Sequence, residues 1–155
     1  MKKSKKMILL CLLIIVAVAC VWLIFANSAK SSESSHDISK RFAELILPYV
    51  NVGKEWENRA AADNIVRKCA HFAEYFSLSV ILFSVALLLG DKARRVLLVV
   101  FCIALLIIPI VDESLQLLSD RTSSALDIGI DIAGAAVGAL MAFLISKIIK
   151  NSHRK

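Results

Sequence analysis

The apolar residues of this chain fall in long unbroken blocks rather than at the alternating spacing of strands or the three-and-four spacing of a soluble amphipathic helix. Residues 7–26 form a stretch of twenty without a charge. As a helix rising 1.5 Å per residue it spans about 30 Å, the thickness of a bilayer's hydrocarbon core. Further blocks predict helices over about 68–89, 96–118 and 124–149. The linkers Gly90–Arg95 and Ser119–Ser123 are so short that the helices they join must be antiparallel neighbours. Residues 27–67 open with a Ser-rich polar run. From His36 to Val50 they then place Ile38, Phe42, Leu45, Ile46 and Tyr49 at spacings of three and four. That pattern predicts a short amphipathic helix lying on the membrane surface, capped by Ser35 or Asp37 and ending near Pro48. A second short helix is expected from Trp56 to about Asp63. The expected fold is an all-α integral membrane four-helix bundle, one domain over residues 1–155.

Charge adds an orientation. The net charge of +6 would point to nucleic acid in a soluble protein, but its distribution points to a membrane and not to a nucleic-acid partner. Lys2, Lys3, Lys5 and Lys6 precede the first block; Lys92, Arg94 and Arg95 lie between the second and third; Lys147, Lys150, Arg154 and Lys155 end the chain. Residues 27–67 carry as many acidic as basic side chains. The positive-inside rule therefore predicts both termini in the cytoplasm and residues 27–67 outside. A signal peptide is the alternative for the first block. Its apolar core runs only about 7–15 residues, so retention as an anchor is expected. Trp22 suits an interfacial anchor. The four cysteines, Cys11, Cys20, Cys69 and Cys102, show no CxxC or His/Cys metal spacing and read as small buried hydrophobes.

Ionisable residues inside membrane spans are costly, at ~2.5–3.5 kcal/mol each on insertion scales. The second block opens with Arg67, Lys68, His71, Glu74 and Tyr75; Arg67, His71, Glu74 and Tyr75 share one helix face. The third ends with Asp112, Glu113 and Gln116 after Pro109, which is expected to kink it. The fourth opens with Asp127 and Asp131, and Gly134 and Gly138 continue that stripe. With the predicted topology, all of these and Arg121 meet at the outer face. Bland readings stand beside the functional one. Asp127 fits a Ser124-x-x-Asp127 capping box, Arg67 and Lys68 suit snorkelling, and the glycines suit helix packing. His71 with Glu74 suits a structural hydrogen bond between helices.

Arg67-Lys68-x-x-His71-Phe72-x-Glu74-Tyr75, then Asp112-Glu113-x-x-Gln116, then Arg121 and Asp127-x-x-x-Asp131-x-x-Gly134, resemble the VanZ-like family over about residues 64–140. The resemblance implies a small multi-pass bacterial envelope protein; the family takes its name from a protein associated with resistance to the glycopeptide teicoplanin. It implies no established reaction. Leu117-Leu118-Ser119-Asp120 replaces the family's usual Pro-Gly run, and Asp131 stands where some relatives carry Asn.

Three functions compete. The first is a site for a lipid headgroup or lipid-linked envelope precursor. In a catalytic form, His71 would be the acid/base oriented by Glu74, and Asp112, Glu113, Asp127 and Asp131 would hold a divalent metal. The second is a noncatalytic accessory protein whose charges lock the bundle. The third is a small transporter, disfavoured because the polar residues stop in one half of the span. No GxSxG nucleophile motif or nucleotide-binding Gly-rich loop is present, and the balance is against an enzyme.

The topology is directly testable. Reporter fusions after Lys92 and at the C-terminus should be active in the cytoplasm, and a fusion at Gly53 should be active only when exported. The reverse pattern would place the polar cluster at the cytoplasmic face.

Overall fold

The computed structural model describes residues 3–29, 32–118 and 125–152. Its central element is a helix of 33 residues. The order is α1 (Lys3–Ser28), α2 (Ser32–Ile46), a single 3-10 turn (Leu47–Tyr49), α3 (Glu55–Leu87), α4 (Asp91–Leu118) and α5 (Ala125–Ser152). No strand occurs among the described residues. Four helices, α1, α3, α4 and α5, are long and apolar enough to cross a membrane.

Helix α3 touches every other helix and packs most extensively against α5. At about 50 Å it exceeds the hydrocarbon thickness by several turns. The helix expected at Trp56–Asp63 and the span expected to begin at residue 68 are thus one element. The reason is local: Asn64-Ile65-Val66 contains no Pro or Gly, so polarity changes there while the backbone has no cause to stop. The start is well specified. The Lys54 backbone N–H donates to Glu57 Oε2 at 2.7 Å, and the N–H groups of Val52 and Gly53 donate to Asn58 Oδ1 at 2.8 and 3.2 Å.

At its other end, three residues connect α3 to α4. The Arg94 guanidinium donates back to the Leu89 carbonyl at 3.1 Å and the Ala86 carbonyl at 3.4 Å, satisfying acceptors that the helix terminus leaves open. The amphipathic helix is present but begins at Ser32, so Ser35 and Asp37 lie within it and neither is its cap. It packs on the first turns of α3 through Ala43 and through Ser39, whose hydroxyl donates to Asp63. Phe42, Leu45, Tyr49, Val52 and Trp56 stay exposed, the composition of a surface that meets a bilayer interface.

The cysteines are not where hydropathy suggests. Cys11, Cys69 and Cys102 are exposed on the bundle surface and Cys20 is half-buried; all four are free thiols. Lipid-facing and core positions are equally apolar in a bilayer, so hydropathy does not separate them. The glycines do pack. A Cβ on Gly134 would lie 2.5 Å from the Phe72 carbonyl oxygen, and one on Gly138 would lie 2.4 Å from that of Phe76. Helix α5 therefore approaches α3 backbone to backbone.

Gly134→Ala and Gly138→Ala are expected to destabilise the bundle by about 1–3 kcal/mol through overpacking. Gly129→Ala, where nothing lies within 4 Å, should be neutral or stabilising. Thermal unfolding in detergent checks this, and equal effects at the three glycines would contradict the close packing.

Candidate functional site

Along α3, residues 63, 67, 71, 75 and 79 recur at four-residue spacing and present Asp63, Arg67, His71, Tyr75 and Ser79. His71, Tyr75 and Ser79 are buried against the neighbouring helices, and Arg67 is half-buried. The close α3–α5 approach sets Asp131, one turn before Gly134, beside His71, one residue before Phe72. His71 Nδ1 lies 3.3 Å from Asp131 Oδ1 and 3.8 Å from Asp112 Oδ2. Both carboxylates are fully buried. The three residues come from three helices, and one donor atom of each lies within 4.8 Å of the others.

Each carboxylate is treated differently. Asp112 is well supported: the Ser28 hydroxyl donates to Oδ1, and Gln116 Nε2 donates to Oδ2 at 3.3 Å. Asp131 accepts no well-formed hydrogen bond at either oxygen. His71 Nδ1 is likewise without one, because its 3.3 Å approach to Asp131 lacks hydrogen-bond geometry. The Tyr75 hydroxyl and Gln116 Oε1 are buried with no hydrogen-bond partner. Among the described residues no Lys or Arg pairs with Asp112 or Asp131, and His71 is their one cationic neighbour. Unsatisfied buried polar atoms are rare, so their concentration around one point marks a place built for something more than packing.

The remaining expected residues distribute around this triad. Glu74 accepts from Asn27 Nδ2 at 2.9 Å, so the groups next to the His71 imidazole nitrogen are the two aspartates while the Glu74 carboxylate is tied to α1. Glu113 is buried one residue from Asp112. Asp127 is half-buried in the first turn of α5, its Oδ1 without a hydrogen-bond partner. Neither Glu113 nor Asp127 belongs to the three-donor group, in which His71 joins Asp112 and Asp131. Lys68 is half-buried and pairs with no acidic residue among those described. Arg121 and Ser124 lie outside the described residues.

A cleft of about 560 Å³ opens between α2 and the first half of α3, lined by residues that include Lys40, Glu44, Arg59, Asp63 and Arg67. Arg67 joins the two regions: it borders the cleft, stands one turn from His71, and its Nε is buried without a hydrogen-bond partner.

The profile of the VanZ/LLP1 family matches residues 11–146, which takes in all of these site residues. The chain belongs to the VanZ/LLP1 family. No curated protein and no solved structure matches it. This VanZ/LLP1 protein carries two site members that the residue pattern alone did not single out, Asn27 and Ser28, the last polar turn of α1. Their signal was their place as the first polar residues after an uninterrupted apolar span.

Removing a donor from a buried carboxylate leaves it unsatisfied at a cost of about 1–3 kcal/mol. Ser28→Ala should lower stability by that amount in the wild type and by much less in an Asp112→Asn background. A double-mutant thermal-unfolding cycle measures the coupling, and additive effects would mean that the two groups do not interact.

Proposed function

We propose that this VanZ/LLP1 protein acts at the cell envelope by binding the anionic head of a lipid or lipid-linked envelope precursor from the outer leaflet of the cytoplasmic membrane. The observation that carries the reading is Arg67. A buried guanidinium nitrogen with no acceptor, on the wall of a cleft whose cations Lys40, Arg59 and Arg67 outnumber its acids Glu44 and Asp63, is suited to a phosphate or carboxylate. Arginine is the side chain matched to such planar or tetrahedral anions, and its Nε–H is the donor left open here.

Three further features support it. The cleft lies between the surface helix α2 and the part of α3 that extends past the hydrocarbon span. Exposed Phe42, Leu45, Tyr49 and Trp56 surround that region and suit contact with acyl chains and headgroups. The charge distribution along the chain favours the extracytoplasmic side for this end, within reach of envelope precursors. A contribution to glycopeptide susceptibility, teicoplanin included, follows from the family resemblance and belongs to the same proposal.

The accessory reading also has an observation in its favour: Asn27 and Ser28 tie α1 to Glu74 and Asp112, as a purely structural lock would. Susceptibility to envelope-directed antibiotics and membrane abundance should be measured together in a deletion strain complemented with Arg67→Gln, Arg59→Gln, His71→Ala, Glu74→Gln, Asp112→Asn or Asp131→Asn. Lost complementation at unchanged abundance is the expected result for Arg67→Gln and Arg59→Gln. Complementation and abundance falling in step for every variant would transfer the role to the accessory reading.

A further inference from the structure

Headgroup binding leaves the buried triad unexplained. Two fully buried carboxylates face one imidazole, with Glu113 buried beside them and no lysine or arginine paired to either aspartate among the described residues. Burying carboxylates without compensating charge is strongly unfavourable. Among the described residues, a protonated His71 would balance one of the two and leave the other uncompensated. It would also leave Asp131 Oδ2, the Tyr75 hydroxyl and Gln116 Oε1 without a hydrogen bond.

We propose that His71, Asp112 and Asp131 bind one divalent transition-metal ion of the zinc or manganese class. One ion would neutralise both aspartates and give Asp131 and His71 Nδ1 a well-directed partner in place of their 3.3 Å contact, which lacks hydrogen-bond geometry. The donor set of one imidazole nitrogen with carboxylate oxygens favours a transition-metal ion over magnesium and calcium, since those prefer oxygen alone. The spacing is close to what coordination needs. Ligand atoms about 2.0–2.2 Å from a tetrahedral ion lie roughly 3.4 Å apart, and the contacts from His71 Nδ1 are 3.3 and 3.8 Å.

A surrounding layer is also in place. Ser28 and Gln116 donate to the Asp112 oxygens and orient the carboxylate, as the outer partners of metal ligands do. Three protein ligands leave a coordination position open, and the Tyr75 hydroxyl or Gln116 Oε1 is a buried neutral group suited to its vicinity. His71 therefore takes a place among the metal ligands that sequence reading gave to Glu113 and Asp127. The ion site stands on its own geometry, whether or not the Arg67 cleft takes a headgroup.

The test uses the full chain purified in detergent, stripped with a chelator and titrated separately with zinc, manganese, magnesium and calcium salts. Elemental analysis after desalting should find one zinc or manganese ion per chain, and the thermal midpoint should rise on reloading. Asp131→Asn and His71→Ala should lose that ion, and Ser28→Ala should weaken binding by about 10–100-fold. Should the ligand variants fail to fold, cobalt reports on the wild type alone through visible bands of a nitrogen- and oxygen-ligated site that zinc displaces. No stoichiometric ion in the wild type, equal retention by folded Asp131→Asn, or cobalt without those bands overturns the proposal. Because no lipid or antibiotic enters the measurement, that failure would leave the headgroup reading standing.

Discussion

The close passage of α5 over α3 is the contact on which the rest of the structure depends. Gly134 and Gly138 let the two backbones approach until a single Cβ at either position would collide with a carbonyl oxygen of the other helix. In lipid there is no hydrophobic gain from bringing two apolar helices together, so such shape-determined contact is what sets their register. Once Gly134 sits on Phe72 and Gly138 on Phe76, Asp131 has little choice but to face His71. The chemistry of the buried centre is thus a consequence of two residues that have no side chains.

Helix α3 converts that register into a graded polar path. Its four-residue stripe runs from Asp63, paired with Ser39 on the surface helix, through Arg67 to His71, Tyr75 and Ser79 in the interior. The outer part of the stripe, Asp63 and Arg67, borders a cleft; the inner part meets carboxylates from α4 and α5. Helix α1, otherwise largely exposed, closes the arrangement by placing Asn27 and Ser28 on Glu74 and Asp112. Arg67 on the cleft wall and His71 among the buried carboxylates therefore lie one helical turn apart.

Much of this was legible from the chain alone, for specific reasons. The four spans followed from uninterrupted apolar length, and the membership of His71, Asp112 and Asp131 in one cluster followed from the cost of placing such residues in a span. The amphipathic helix was legible from its spacing, though its start lay earlier than Ser35 or Asp37 because Ser and Glu can occupy helix interiors as well as caps. The break expected between Asp63 and residue 68 is absent because a change of polarity does not stop a helix where no helix breaker stands. The cysteines at 11, 69 and 102 were misplaced because lipid hides the difference between inside and outside.

What the sequence determined by itself, then, was everything that depends on the local solvent of a residue: which segments need lipid, which side chains are out of place there, and where the glycine stripe runs. Which atoms meet was decided only by the tertiary structure. Composition could put Glu74 and His71 on one face, but α1 drew Glu74 toward Asn27 while α5 delivered Asp131 to the imidazole. Pairing between helices depends on their rotation and register, which are set by backbone approach and side-chain volume summed over whole interfaces. No residue carries that information alone.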